Sequence, residues 1–137
     1  MKSAKCILQV TANKKTAYFD IFIQRTSDEI FNMGNSSFLI NCNKNVFKNG
    51  KLEFQCKKYS SGGYEPMQFT QYSFNCIGLQ IRCNTLGKQI TDKNVKITTI
   101  KFSLNGNPSN VSWRLLDTAV VTPAMETVDT NFILNFK

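Results

Sequence analysis

The sequence predicts an all-β domain, a single two-sheet sandwich, on three observations. Apolar and polar residues alternate with a period of two along most of the chain, turn-forming residues recur between the alternating runs, and no long stretch carries the 3.6-residue spacing of an amphipathic helix. Roughly eight to ten short strands divided in this way suit a sandwich or barrel, with an immunoglobulin-like arrangement as the alternative. At 137 residues the chain is long enough to bury a core between two layers without a metal or disulfide staple, so residues 1–137 are read as one domain.

Taken in order, residues 6–11 and 17–25 form a first hairpin around Ala12, Asn13, Lys14 and Lys15. In its second strand Phe19, Ile21 and Ile23 fall on one face, and Tyr18, Asp20, Phe22 and Gln24 on the other. A third strand is predicted over 37–43, with Phe38, Ile40 and Cys42 on one face, and another over 51–56 after the tight-turn pair Asn49-Gly50. Residues 59–66, centred on Ser60-Ser61-Gly62-Gly63 and ending at Pro66, read as an exposed loop.

Residues 69–85 read as one bent strand or two, with Gly78 at the bend. A turn of helix fits within 86–94. Residues 95–104 alternate again, with Ile100, Phe102 and Leu104 on one side and Val95 and Ile97 on the other, until Asn105-Gly106-Asn107-Pro108 stops the run. Val111, Trp113 and Leu115 share a face, 119–121 make a short strand, and Phe132, Leu134 and Phe136 belong to a last one.

Composition narrows the function. The chain contains no histidine, which removes the commonest general base, the usual catalytic triad and most transition-metal sites. Its nine carboxylates include only one adjacent pair, Asp28-Glu29, and the sequence has no phosphate-binding loop and no calcium loop. An enzyme is therefore not expected. No cofactor or metal is expected either, although scattered oxygens leave room for a weakly bound calcium ion.

The five cysteines, at 6, 42, 56, 76 and 83, have no CxxC spacing and are read mainly as small apolar strand residues. The net charge of +8 favours an acidic partner, but the basic residues are scattered, which argues against nucleic acid. No apolar run is long enough to span a membrane.

The run Tyr18 to Ser27, YFDIFIQRTS, followed by Phe31 to Phe38, FNMGNSSF, resembles the opening of cohesin-like domains in large secreted proteins of the Bacteroidota. Tyr64-Glu65-Pro66-Met67, Ser112-Trp113-Arg114, Asp117 and Val121-Thr122-Pro123 extend the likeness over nearly the whole chain. The resemblance implies a jelly-roll-like sandwich of about nine strands, a module or subunit of a larger surface protein, with an extracellular or cell-surface location. The signal and sorting segments of such proteins are not in this chain. Cohesins bind a dockerin, yet no motif here carries that interface over.

A non-catalytic structural or adhesive module is expected, meeting a protein partner or another copy of itself through sheet faces or edges. The alternative is a carbohydrate-binding module that offers Tyr59, Tyr64 and Tyr72 to sugar rings; Trp113, alternating with Val111 and Leu115, suits the core better. A weaker alternative is a basic domain that binds acidic polymers.

Overall fold

The computed structural model describes residues 1–13, 15–42, 54–55, 68–73, 76–81, 87–103 and 111–137. Eleven strands run through them: β1 (Ser3–Ala12), β2 (Thr16–Arg25), β3 (Asn32–Met33), β4 (Ser36–Asn41), β5 (Phe54–Gln55), β6 (Gln68–Ser73), β7 (Cys76–Ile81), β8 (Lys88–Gln89), β9 (Val95–Ser103), β10 (Ser112–Trp113) and β11 (Asp129–Phe136). There is no helix among the described residues. Nine strands make two sheets, ordered β11-β1-β2-β9-β5 and β10-β4-β7-β6, and β3 and β8 form a short ribbon of their own.

The first hairpin forms as its alternation requires. Asn13 sets the turn: its Oδ1 accepts from the amides of Lys15 and Thr16, 2.9 and 2.8 Å away, a local bond that favours a turn over further strand. From there β1 and β2 pair antiparallel from Ala12–Ala17 back to Ala4–Arg25. The period of two sends Ala4, Cys6, Leu8 and Val10 of β1, and Ala17, Phe19, Ile21 and Ile23 of β2, into the core. β11 joins the outer edge of β1 in parallel register, Cys6 opposite Phe132 and Leu8 opposite Leu134, so the sheet is mixed.

The second sheet contributes Phe38 and Ile40 from β4 and Ile77, Leu79 and Ile81 from β7 to the same core cluster. One hydrophobic layer therefore lies between the sheets, as in other β-sandwiches. Trp113 of β10 packs at its margin, 6.1 Å from the Phe38 ring and 5.2 Å from the Phe132 ring. Its indole N–H donates to the carbonyl of Ile133 at 2.9 Å. This one side chain ties the edge of the second sheet to the edge strand of the first. Trp113 is thus partly buried and packs against the core.

Close backbone contact holds the end of the sandwich near β3. Gly87 has φ of +75°, and a Cβ there would lie 2.5 Å from the Met33 carbonyl oxygen; a Cβ on Gly34 would lie 2.6 Å from that of Thr122. Only glycine permits both approaches. The buried Ser36 hydroxyl donates to the Gly34 carbonyl and accepts from the Val121 amide, at 3.0 and 3.2 Å, fastening the 121–127 segment to the start of β4.

Five sequence expectations change, the short strand over 119–121 among them, since Ala119 and Val121 form only isolated bridges. The long run after residue 68 is two strands, but Gly78 lies within β7, paired with Leu39 and Thr70, and not at the bend. Ile97 and Ile100 belong to one core and not to opposite faces, because a register shift at Ile21/Phe22 skips Ile97 in the pairing of β2 with β9 and so resets the alternation. Residues 88–89 are strand, not helix, held by β3. Leu115 is exposed and does not share the Trp113 environment, since the chain leaves the sheet after Trp113. The Asn49-Gly50 turn, the 59–66 loop and the Asn105–Pro108 stop lie outside the described residues.

Candidate functional site: an uncharged sheet face with an apolar turn at its edge

The outward face of the second sheet is built by the residues that alternate with its core positions. On β4 these are Ser37, Leu39 and Asn41, and opposite them on β7 stand Gln80, Gly78 and Cys76. None of the six is charged. Leu39 and Cys76 are themselves buried, so Ser37, Asn41, Gly78 and Gln80 form the accessible part, and such neutral positions cost less to desolvate than charged ones, as at an interface centre.

At the β10 edge of this face the chain makes a pinned turn. The Arg114 amide donates to the Leu39 carbonyl at 2.8 Å, and the Leu39 amide donates to Thr118 Oγ1 at 3.0 Å. Thr118 Oγ1 in turn donates to the Arg114 carbonyl. Within the turn the Thr118 amide donates to the Leu115 carbonyl at 3.2 Å, and Asp117 adopts φ of 67°, a left-handed conformation that Asp tolerates better than most residues. Ala119 then resumes pairing with Ser37.

This geometry holds Leu115 and Leu116 out of the core, 63% and 68% exposed, on a backbone fixed at both ends. Each leucine would gain about 1.5–3 kcal/mol on full burial, so the turn presents apolar surface already ordered for a partner. Sequence reasoning missed it, because alternation through Val111, Trp113 and Leu115 suggested an unbroken strand. The adjacent pair Leu115-Leu116, which breaks the period of two just before Asp117, was the available signal.

Of the predicted ligand residues, Tyr59 and Tyr64 lie outside the described residues. Tyr72 lies on β6, at the register shift between Gln71 and Ser73.

Ionisable groups elsewhere are arranged as ordinary ion pairs. Lys2 Nζ lies 3.2 Å from both Glu29 and Glu126, and these bonds raise its pKa. The chain's amino group, ahead of Lys2, lowers that of Glu29. Asp20 accepts from Thr99 Oγ1 at 2.5 Å and lies 4.0 Å from Lys96 Nζ. A shallow groove of about 390 Å³ runs past Lys2, Ile30, Pro123 and Glu126, with the Lys2–Glu126 pair among its walls. Among the described residues no three Cys, Asp or Glu groups come together to hold a metal. Cys6, Cys42 and Cys76 are free and buried; burial raises the Cys6 thiol pKa and, with Cys76 nearby, that of Cys42 to about 12.

No protein-family model matches the chain, and no curated protein is similar to it. Solved structures do match over nearly its full length. It superposes on a chain of the Coh-OlpA–Doc918 type I cohesin–dockerin complex from Clostridium thermocellum with a TM-score of 0.66 and 12% identity, covering 98% of this chain and 99% of that one. The sixth cohesin of scaffoldin B from Acetivibrio cellulolyticus, in complex with a Cel5 dockerin, gives 0.64 and 8%, covering 99% of each chain. The second type II cohesin module of the cellulosomal adaptor scaffoldin ScaA from the same organism gives 0.63 and 9%, covering 98% and 95%. The chain therefore has the fold of the cohesin β-sandwich.

Proposed function

We propose that the chain is a non-catalytic protein-binding module, and that its partner docks on the outward face of β4 and β7 with Leu115 and Leu116 at the rim. The observation that carries this reading is the pinned turn, which holds two leucines in solvent beside a face without charge. Free energy is otherwise lost by exposing them, and a docked partner recovers it.

The cohesin fold supports a dockerin as the class of partner, since two of the similar structures are cohesin–dockerin complexes by their names. A secreted, surface-displayed setting, in the Bacteroidota by sequence resemblance, completes the reading. The absence of histidine supports a role without acid–base catalysis.

The test is a binding screen of the purified chain against a panel of dockerin modules, with a neutral glycan array beside it. Binding of a dockerin, weakened about tenfold or more by Leu116→Asp, is expected for an anchor at an interface. Binding to the glycan array with no dockerin bound would replace this reading with carbohydrate recognition.

A further inference from the structure

The outward face of the other sheet has a different chemistry, and the docking site above does not use it. Lys5 on β1 stands opposite Gln24. On β9, Lys96 stands opposite Phe22 and Lys101 opposite Tyr18. Among the described residues, Asp20 is the one acid at the outward positions of β1, β2 and β9, and its carboxylate already takes the Thr99 hydroxyl and faces Lys96. The face is therefore net positive, within a chain of charge +8.

We propose that this face, with Lys5, Lys96 and Lys101 beside Tyr18, binds an acidic polysaccharide. Three observations select that class of polymer. The first is charge spacing. Two strands across and two residues along separate Lys5 from Lys96 by about 12 Å, and four residues along separate Lys96 from Lys101 by about 13 Å. A nucleic-acid strand carries a phosphate about every 3.4 Å, so lysines this sparse leave most of its charges unpaired, and they suit a polyuronate, one carboxylate to a ring, whose neutral ring atoms also meet the face.

The second is the aromatic content. Base stacking needs neighbouring exposed rings, whereas among the described residues of this face Tyr18 is the one exposed ring, Phe22 being half-buried, and the Lys101 ammonium lies 5.9 Å from the Tyr18 centroid. A tyrosine flanked by a cation suits one sugar ring and its carboxylate. The third is the neutral polar set between the lysines. Gln9 and Thr11 of β1 share the face with them, offering amide and hydroxyl groups to sugar hydroxyls.

The experiment is affinity electrophoresis and calorimetry of the chain with polygalacturonate, with neutral dextran and poly(dT) as comparators. Binding to polygalacturonate is expected, falling between about 50 mM and about 200 mM salt as counterions are released, with dextran not bound. A variant carrying Lys5→Gln, Lys96→Gln and Lys101→Gln is expected to bind about tenfold more weakly. A charge-matched variant carrying Lys15→Gln, Lys88→Gln and Lys93→Gln is expected to bind as the parent does. Tyr18→Ala supplies a second variant that leaves charge untouched and is also expected to weaken binding.

Urea midpoints within the scatter of the parent show that each variant is folded. Equal losses in the two lysine variants would reduce the effect to net charge and overturn the proposal. So would binding of poly(dT) as tight as that of polygalacturonate, or no binding of polygalacturonate at low salt.

Discussion

The two sheets turn alike faces inward and unlike faces outward. Inward, Phe19, Ile21 and Ile23 of β2 meet Phe38, Ile40, Ile77 and Leu79 of β4 and β7 in one core. Outward, β4 and β7 carry Ser37, Asn41, Gly78 and Gln80, while β1, β2 and β9 carry Lys5, Lys96, Lys101 and Tyr18. The inward likeness follows from the need to bury apolar area, which any two-layer fold shares. The outward difference does nothing for the core, so it reports on what each face meets.

The largest effects are expected where the sheets are alike. Phe19→Ala and Phe38→Ala each remove a fully buried ring and should each cost about 3–5 kcal/mol. Urea denaturation measures this, and a cost for one that falls well below the other would show that the two sheets do not share one core.

Alkaline pH gives the next effect. The folded chain keeps the Cys6 and Cys42 thiols protonated, while an unfolded chain releases such protons above roughly pH 8.5. The unfolded state then binds fewer protons, so stability is lost as pH rises from there towards about 12, by about 1.4 kcal/mol per unit for each thiol. Urea midpoints at rising pH check the sign; a flat profile would mean that these thiols are accessible.

Two smaller changes sharpen the account of how the edges are held. Ser36→Ala takes the acceptor from the buried Val121 amide and should cost about 1–3 kcal/mol. Trp113→Phe keeps the ring contacts but loses the bond to Ile133, at about 1 kcal/mol. The smallest stability effect belongs to the functional surfaces: Leu116→Asp and Lys5→Gln should each change the urea-derived stability by no more than about 0.5 kcal/mol.

Much of this fold was legible because strand alternation is a local signal. The hairpin of β1 and β2 and the inward set Phe38 and Ile40 follow from period-two pattern alone. What failed depended on pairing between distant segments. The shift that brings Ile97 and Ile100 into one core arises between β2 and β9, about seventy residues apart in sequence, and no local window records it. Gly78 read as a bend because glycine weakens a lone strand, yet β7 has partners on both sides that hold it extended.

The candidate site was less legible than the fold. Tyr59, Tyr64 and Tyr72 drew attention as aromatic residues in or near a glycine-rich loop, whereas the turn at Leu115 and Leu116 is defined by bonds from Arg114 and Thr118 to Leu39, far away in the chain. The outward identity of the lysines was readable strand by strand; their gathering on one face required the order β1-β2-β9.

The central claim is that the protein partner meets the uncharged face and not the basic one. The most direct measurement is the affinity of one dockerin for three forms of the chain: the parent, a Leu115→Asp/Leu116→Asp variant, and a Lys5→Gln/Lys101→Gln variant. The account predicts a loss of about tenfold or more for the leucine variant and a change within about twofold for the lysine variant. An unchanged affinity in the leucine variant, with the loss confined to the lysine variant, would contradict it.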